Sequence, residues 1–378
     1  MNNINLNRKM NYKINLDKPF FLDTKDIQTY NLSVSDLFDH YRKVNFIYEE
    51  KEKRIKNYYN LIQENWELAL KGGEEILWTP IFISKHSNHM ASISLWRTTL
   101  NSWFAQHMTS TGDASGLVSL LLNTMAKVIV KDEYNIACQN WYNKKKKVPD
   151  KIYKKFASYV GSKYSSNTPF EYLEVKPLYN ERTDNYNLNI VRCNHRFYIN
   201  DLKKFVSKIR GDIYLTSEQF DYNDIELDNL NVIYKKYGLF RKRFIWIAYK
   251  SGFNEPVGAA ICYRGPLGFN LSFLENRCDL LINERLNISI EHVCNALIKK
   301  AACSYFDISN ELTYPLDYIP VVTSGKAAKY LKSSGSELIR QYNQCICLKE
   351  GFVKYYNYLE NMFSSIIKWI KMEKKFNN

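Results

Sequence analysis

The sequence predicts an α/β protein with mixed α+β sheets, arranged as two lobes in tandem. Its 378 residues exceed one compact unit and fit two domains of roughly 150–200 residues each. Strand-like and helical patterns alternate along the first half, and after a polar stretch at 178–187 a similar alternation begins again. The apolar content of 45% and the charged content of 24% indicate a packed core rather than disorder.

These patterns divide the chain into four segments. Residues 1–30 are polar and rich in Asn and Lys, which predicts an irregular arm. The first lobe with its leading helices takes up 31–177, and the second lobe takes up 188–350. Residues 351–378 carry a helical apolar stripe and a basic end, which predicts a C-terminal amphipathic helix. Such a helix can pack onto the body or dock a partner or a membrane surface.

The first lobe begins with two predicted helices. Ser33 or Ser35 can cap the first of them, and the second, over roughly 51–70, ends at Gly72 and Gly73. Beyond them the patterns predict strands at 76–84, 90–100, 101–110, 135–142 and 170–177, and helices at 117–130 and about 149–160. A loop of small residues at 109–116 leads directly into the helix at 117–130.

The second lobe repeats this alternation. The patterns predict these elements in order: a strand (188–193), a helix (197–211), a polar Asp-rich region (212–231), a hairpin (240–265), a buried strand (278–282), a long helix (288–307), a strand (318–322), a short helix (325–335) and a final strand or strand pair (336–349).

Charge and cysteine usage restrict the function classes. The formal charge of +14 favours anionic ligands in general: nucleic acid, anionic lipid or a phosphorylated cofactor. The eight cysteines lack zinc-knuckle spacing, and His86 with His89 lacks further ligands, so we predict no metal and a reducing compartment. No signal-peptide pattern and no apolar run of about 20 residues occurs, so we expect a cytoplasmic protein.

The order of elements in the second lobe resembles the GCN5-related N-acetyltransferase (GNAT) family. The segment KAAKYLKSSGSELIRQYNQCICL (326–348) is similar to the family's late helix and last strands, and the first lobe follows the same template from 76–110 onward. The resemblance covers roughly residues 75–350, mainly as order of elements. It implies acetyl-CoA or another acyl-CoA as cofactor and an amine-bearing small molecule or peptide as acceptor.

The family's signature is a basic residue or Gln followed by x-x-Gly-x-Gly/Ala, whose backbone N–H groups surround a pyrophosphate at a helix N-terminus. The loop at 109–116 matches the x-x-Gly-x-Ala part, although Thr109 stands where Gln or Arg is usual. The resemblance implies cofactor binding by Thr109, Ser110, Thr111, Gly112, Asp113, Ala114 and Ser115. The alternative is an ordinary turn that caps a core helix. The second lobe has no glycine at the corresponding place, 283–293.

Acyl transfer to an amine needs a base for the amine proton and an acid for the leaving thiolate. His107 lies beside the predicted cofactor loop and titrates in a useful range. By resemblance, Asp279 in the second lobe corresponds to the family's base, and Tyr330, five residues before Gly335, corresponds to its acid. The alternative for each of the three is a purely structural side chain.

Three functions are therefore compatible with the sequence. The first is an acyl-CoA-dependent N-acyltransferase whose cofactor is held by the 109–114 loop. The second is an aminoacyl-tRNA-dependent transferase, for which the run Lys144–Lys147 and the many aromatic residues would suit tRNA. The third is a catalytically degenerate tandem GNAT fold that acts as a binding or scaffold protein.

Overall fold

The computed structural model shows a mixed α/β architecture around one large sheet with both parallel and antiparallel strand pairs. The described residues are 27–29, 33–84, 89–111, 122, 125, 129, 132–145, 149–176, 187–306, 316–355, 357–359 and 361–362. The predicted fold class is confirmed. Within the described ranges, no helix is both long and apolar enough to cross a membrane.

Three helices precede the first long strands: α1 (Val34–Lys43), α2 (Glu49–Ile55) and α3 (Tyr59–Gly72). Ser33 caps α1, as predicted, because its Oγ accepts the amide N–H of Asp36 at 3.1 Å. The single helix predicted over 51–70 is instead divided by a 3-10 turn at Lys56–Tyr58. The sequence there, Asn followed by two tyrosines, has weak helix propensity. Gly73 ends α3 with a φ of 51°.

Helix α3 connects the N-terminal helices to a loop of the second lobe. Trp66 Nε1 donates to the carbonyl oxygen of Gly268 at 2.8 Å, and Asn65 Nδ2 donates to that of Leu267 at 3.0 Å. Gly268 has a φ of 85°, and a Cβ added to it would come within 2.5 Å of the Ile62 side chain. This close approach requires glycine and fixes the position of Trp66.

Residues 27–29 of the predicted irregular arm form a strand, β1 (Ile27–Thr29), because they pair with the strand Ile81–Ser84. The described strands of the first lobe are β2 (Leu77–Trp78), β3 (Ile81–Ser84), β4 (Met90–Thr99), β5 (Ser102–Ser110), β6 (Ala137–Asn143) and β7 (Ser165–Val175). A π-helical turn (Asp150–Lys154) runs into α4 (Lys155–Val160). The predicted strand 76–84 is two strands, because Pro80 has no N–H for a ladder. Strands β5 and β6 run parallel, from the pair Ser102–Ala137 to the pair Ala105–Asn140.

The described elements of the second lobe are β8 (Leu188–Arg192), α5 (Arg196–Arg210), α6 (Asp212–Glu218), α7 (Asp228–Lys235), β9 (Lys242–Lys250), β10 (Gly258–Arg264), β11 (Cys278–Ile282), α8 (Ile290–Phe306), β12 (Ile319–Thr323), α9 (Gly325–Ser333) and β13 (Glu337–Leu348). The region 212–231, predicted only as polar, holds α6 and the start of α7, since Tyr214 and Leu230 are buried there. The predicted strand or strand pair at 336–349 is the single strand β13.

The two lobes share their central strands. The order across the sheet is β1-β3-β4-β5-β6-β13-β7-β12-β11-β10-β9-β8, with β2 paired to β4. Strand β13 of the second lobe lies between β6 and β7 of the first, and β7 lies between β12 and β13 of the second. Each lobe therefore supplies a strand to the sheet of the other. The lobe boundaries 31–177 and 188–350 stay predictions.

The C-terminal segment is helical at 349–355, 357–359 and 361–362. Phe352, Tyr355 and Leu359 are buried, and the Tyr355 ring lies 4.3 Å from the ring of Phe156 on α4, centre to centre. In its described part the predicted amphipathic helix therefore packs onto the body. Residues 363–378 lie outside the described residues.

Candidate active site

A cavity of about 230 Å³ opens in the first lobe at the end of the parallel ladder between β5 and β6. The ladder stops at Ala105 and Asn140, while β5 continues to Ser110 along β4. Asn140 Nδ2 donates to the carbonyl oxygen of Ala105 at 2.7 Å, which ties the two strands together at this point. Residues of β5, β6, β13 and the α1–α2 region line the cavity.

A β-bulge in β5 brings His107 and Met108 to the cavity. Gln106 pairs with Ser94 and Thr109 pairs with Ser92, so two residues of β5 oppose the single residue Ile93 of β4. His107 has a φ of 52°, a left-handed conformation that costs energy in a residue with a Cβ. Bulges of this kind re-aim side chains and are frequent beside active sites.

The imidazole of His107 is buried among aromatic rings. Its ring is stacked on Trp66 at 5.6 Å between centres and meets the rings of Tyr41 and Phe46 edge-on. Its Nε2 accepts the amide N–H of Leu271 at 3.4 Å, so the proton of the neutral ring is on Nδ1. Burial, and secondarily the charge of Lys51, lower the pKa of His107 well below its usual range. His107 is thus a neutral hydrogen-bond donor at physiological pH.

Lys51 on α2 forms another wall of the cavity, and it was not among the candidates from the sequence. Its side chain is 7% exposed, and Nζ donates to the carbonyl oxygen of Phe46 at 3.0 Å and lies 3.8 Å from the centre of the Phe46 ring. Burial, and secondarily the charge of Arg340, lower the pKa of Lys51 to about 7. A large fraction of this amine is therefore neutral near pH 7, and a neutral amine can accept a proton.

Arg340 reaches the same cavity from the second lobe. A bulge in β13, between Leu338 and Arg340, interrupts its pairing with β7 next to the cavity. The guanidinium carbon of Arg340 lies 4.9 Å from the centre of the Tyr48 ring. Tyr342, two residues further along, donates from its hydroxyl to Ser272 Oγ at 3.1 Å. Both lobes therefore build this site.

Several polar groups around the cavity have no partner. Within the described ranges, no hydrogen-bond partner is found for Asn140 Oδ1, Trp141 Nε1 and His107 Nδ1, although all three atoms are buried. An unpaired buried polar atom costs free energy unless a ligand or water satisfies it. Water, or a ligand with both hydrogen-bond donors and acceptors, can satisfy Asn140, Trp141 and His107 in this cavity.

The predicted cofactor loop is described only at its start. Thr109 Oγ1 lies 2.7 Å from Ser92 Oγ and 3.0 Å from His40 Nε2, so this hydroxyl already makes two hydrogen bonds within the protein. Ser110 pairs with Ala91 in the sheet, and the amide N–H of Thr111 donates to the carbonyl oxygen of Met90. The predicted ligands Gly112, Asp113, Ala114 and Ser115 lie outside the described residues. The phosphate cradle stays a prediction.

Asp279 and Tyr330 lie in the second lobe, away from His107. Asp279 is fully buried, and its two oxygens accept from Arg277 Nε at 3.0 Å and from the Tyr214 hydroxyl at 2.6 Å. The Tyr330 hydroxyl donates to Asn295 Oδ1 at 2.8 Å. Asn295 lines a second cavity, of about 310 Å³, between α8, α9 and the start of β13. The structure does not bring Asp279, Tyr330 and His107 together.

Where residues are described, no group of three or more His, Cys, Asp or Glu side chains is arranged to hold a metal ion. His86, one of the two histidines of the H-x-x-H sequence, lies outside the described residues.

Comparison with known proteins gives distant structural likenesses. No family model and no curated protein matches the sequence. A tandem GNAT protein from the clavulanic acid biosynthesis pathway, solved without AcCoA, is 8% identical with a TM-score of 0.38, over 85% of this chain and 98% of its own. A conserved protein of unknown function from Staphylococcus epidermidis is 13% identical with a TM-score of 0.34, over 68% of this chain and 90% of its own. Neither likeness assigns a substrate or a site.

Proposed function

We propose that the chain is an acyl-CoA-dependent N-acyltransferase whose cofactor lies in the first-lobe cleft between β5 and β6. The observation that carries the proposal is the cavity at the end of the β5–β6 ladder, with the His107 bulge in its wall. Beyond Ala105 and Asn140 the two strands no longer pair, so peptide groups facing the cleft can hydrogen-bond an extended amide chain. Acyl-CoA would supply an activated acyl thioester there.

The residues of the cavity fit such a ligand. Asn140 Oδ1 can accept and Trp141 Nε1 can donate, which matches the alternating amide groups of a pantetheine arm. The Thr109–Ser115 loop leads from β5 toward the helix at 117–130 and is proposed to hold the cofactor's phosphates. We place acyl transfer in the first lobe for these reasons.

In this proposal one side chain accepts the proton of the amine and another donates a hydrogen bond to the acyl group. An amine acceptor enters as an ammonium ion at neutral pH and must lose a proton before it reacts. The neutral amine of Lys51 takes that proton at Nζ, since its pKa is about 7. His107 donates from Nδ1 to the acyl carbonyl oxygen, where negative charge develops. His107, predicted as a base, is therefore proposed as a donor.

Substitution of Lys51 with methionine is expected to lower kcat for acyl transfer by about 100-fold, the lower range for loss of a general base. In the unmodified protein the rate should rise with pH through about 7, because deprotonation of Lys51 creates the base. The variant should lose this rise. The measurement is a pH–rate profile of thiol release from acetyl-CoA in the presence of an amine.

Lys53→Met is the matched control, because Lys53 is on the same helix, exposed and paired with Glu49 at 2.7 Å. It should leave both rate and profile unchanged. A Lys51→Met profile that still rises through pH 7 would remove Lys51 from the mechanism and leave the base unassigned.

Filling the first-lobe cavity is expected to abolish cofactor binding. Met108 is half-buried and lines the cavity, so Met108→Trp should block the cleft with a side chain that the site cannot absorb. Gly112→Trp should act in the same way through the predicted phosphate loop. Titration calorimetry of acetyl-CoA and free CoA into each variant measures the effect.

Ser334→Trp is the control for this titration. Ser334 is exposed and lines the second cavity, so its substitution should leave CoA affinity unchanged if the first lobe alone holds the cofactor. Loss of binding in this variant but not in Met108→Trp would move the cofactor to the second lobe. No binding of either thiol form to the unmodified protein would overturn the proposal. It would then favour tRNA-dependent transfer or a non-catalytic binding role.

A further inference from the structure

The cavity continues into a groove of about 470 Å³. Cavity and groove share Tyr48, Lys51, Ser272, Arg340 and Tyr342. The groove thus leads from the surface to Lys51, the proposed proton acceptor. A molecule bound in it would reach the proposed acyl site from the α2 and β13 side.

The charges along this path are unevenly distributed. The residues that line the inner cavity include Lys51 and Arg340 but neither Asp nor Glu. Carboxylates occur in the outer groove. Glu174 there pairs with Arg54, and Glu50 and Glu337 are exposed. The inner end is therefore basic, and a low-dielectric wall strengthens its attraction for an anion.

Within the described ranges, Arg340 lacks the carboxylate partner that several other arginines of the structure have. Guanidinium groups that have a carboxylate within 4 Å include those of Arg42, Arg54, Arg97, Arg192 and Arg277. Arg340 has no carboxylate partner among the described residues and lies over the Tyr48 ring. Lys51 Nζ beside it donates to one backbone carbonyl and likewise has no carboxylate partner there. The permanent charge of Arg340, and the charge of Lys51 when it is protonated, are costly without a counter-charge unless an anion binds beside them.

We propose that Arg340 binds an anionic group of the acceptor, a carboxylate or a phosphate, at the inner end of this groove beside Lys51. The acceptor would then be an amine that carries a carboxylate or phosphate. Arg340 is suited to this task because its planar guanidinium can donate two parallel hydrogen bonds to either group. The proposal rests on the proposed function in taking the anion to be part of the acceptor.

Anion binding can be measured without acyl-CoA by the reactivity of Lys51. The protein is arylated with 1-fluoro-2,4-dinitrobenzene at pH 7 in the presence of inorganic phosphate or acetate, and the labelled peptides are quantified by mass spectrometry. A bound anion should stabilise the charged amine and slow labelling of Lys51 several-fold. Exposed Lys53, two residues away, should label at an unchanged rate. Sodium chloride at equal ionic strength controls for screening.

Two arginine variants identify the binding group. In Arg340→Gln, the anion concentration needed to protect Lys51 should rise by about 10-fold to 100-fold, the usual effect of losing hydrogen bonds to a charged group. Arg196→Gln removes an exposed arginine at the start of α5 and should leave protection unchanged. The phosphate and acetate series decide which anion the site prefers.

The outcomes separate this proposal from the proposed function. If neither anion protects Lys51 in the unmodified protein, or if Arg340→Gln is protected as well as the unmodified protein, the anion site is overturned, whatever the CoA titration shows. The unmodified protein gives this answer even if the variant fails to fold. Protection by an anion in a protein that does not bind acyl-CoA would keep the anion site and overturn the acyltransferase.

Discussion

Replacement of Arg277 with methionine is expected to lower the free energy of unfolding by about 3–5 kcal/mol, the usual cost of removing one partner from a buried ion pair. Arg277 Nη2 lies 2.9 Å from Glu218 Oε1, and its Nε lies 3.0 Å from Asp279 Oδ1. All three side chains are fully buried. The substitution would leave two carboxylates in the core without their ion-pair partner. Denaturant unfolding followed by tryptophan fluorescence measures the effect.

The environment of Glu218 explains why the loss should be large. Burial alone would raise its pKa, but the charge of Arg277 and hydrogen bonds from Tyr263 and Gln139 outweigh burial and hold the pKa below its usual range. Gln139 belongs to β6 of the first lobe and donates to Glu218 at 2.7 Å, so the network crosses between the lobes. Loss of Arg277 therefore weakens the contact between the lobes as well.

A triple variant is the control for this prediction. Arg277→Met combined with Glu218→Gln and Asp279→Asn removes the whole charge set and should recover much of the lost stability. Arg196→Met, at an exposed position, should change stability by less than about 0.5 kcal/mol. If Arg277→Met is as stable as Arg196→Met, the buried ion pairs do not stabilise the core.

The same network bears on Asp279 as a catalytic candidate. Asp279→Asn keeps the shape of the side chain and removes its charge. If Asp279 serves folding through Arg277, this variant should lose stability and keep the kcat of the folded fraction. A folded variant with low kcat and unchanged stability would support the role that the resemblance implies for Asp279.

Local patterns predict the order of elements well because each element carries its own signal. The Ser33 cap, the end of α3 at Gly73 and the strands β5 and β6 all follow from residues close together in the chain. The strand exchange has no such signal. The sequences of β7 and β13 indicate a strand in each place but not its neighbours, and their pairing joins residues such as Ser165 and Cys347, which are far apart in sequence.

The candidate site likewise contains one residue that the sequence indicates and others that it does not. His107 is found from sequence because a histidine beside a small-residue loop is conspicuous. Lys51 is missed because it lies within the charged run EEKEKR (49–54), which is typical of a solvated helix. Its burial depends on Phe46 and Arg340, and Arg340 reaches the cavity on a strand of the other lobe next to a bulge. Such placement is a tertiary property that no local spacing encodes.

Separation of the two lobes is expected to abolish folding of each. A first half that ends between 177 and 186 lacks β13, which pairs with β6 over Tyr342–Leu348 and with β7 over Glu337–Cys347. Strand β7 would then have no partner on either side, because its other neighbour, β12, also belongs to the second half. Unpaired central strands expose backbone groups and apolar faces. Circular dichroism and hydrogen exchange of each half measure the loss.

A cut made after folding is the matched control. A protease site placed between 177 and 186 in the intact chain should be cleavable without dissociation, because β7 and β13 remain paired with each other and with β6 and β12. Size-exclusion chromatography should show one species, and denaturation with refolding should restore it from the mixed halves. A half that unfolds cooperatively by itself would show that the exchanged strand is dispensable.

The exchange also makes the candidate site a joint property of both lobes. Arg340 and Tyr342 of β13 face the cavity whose other walls are His107 of β5 and Trp141 of β6. Neither half alone can therefore bind CoA or protect Lys51 through Arg340, whereas the mixed and refolded halves should regain both properties together. Recovery of CoA binding by the first half alone would show that the cleft between β5 and β6 forms without its neighbouring strand.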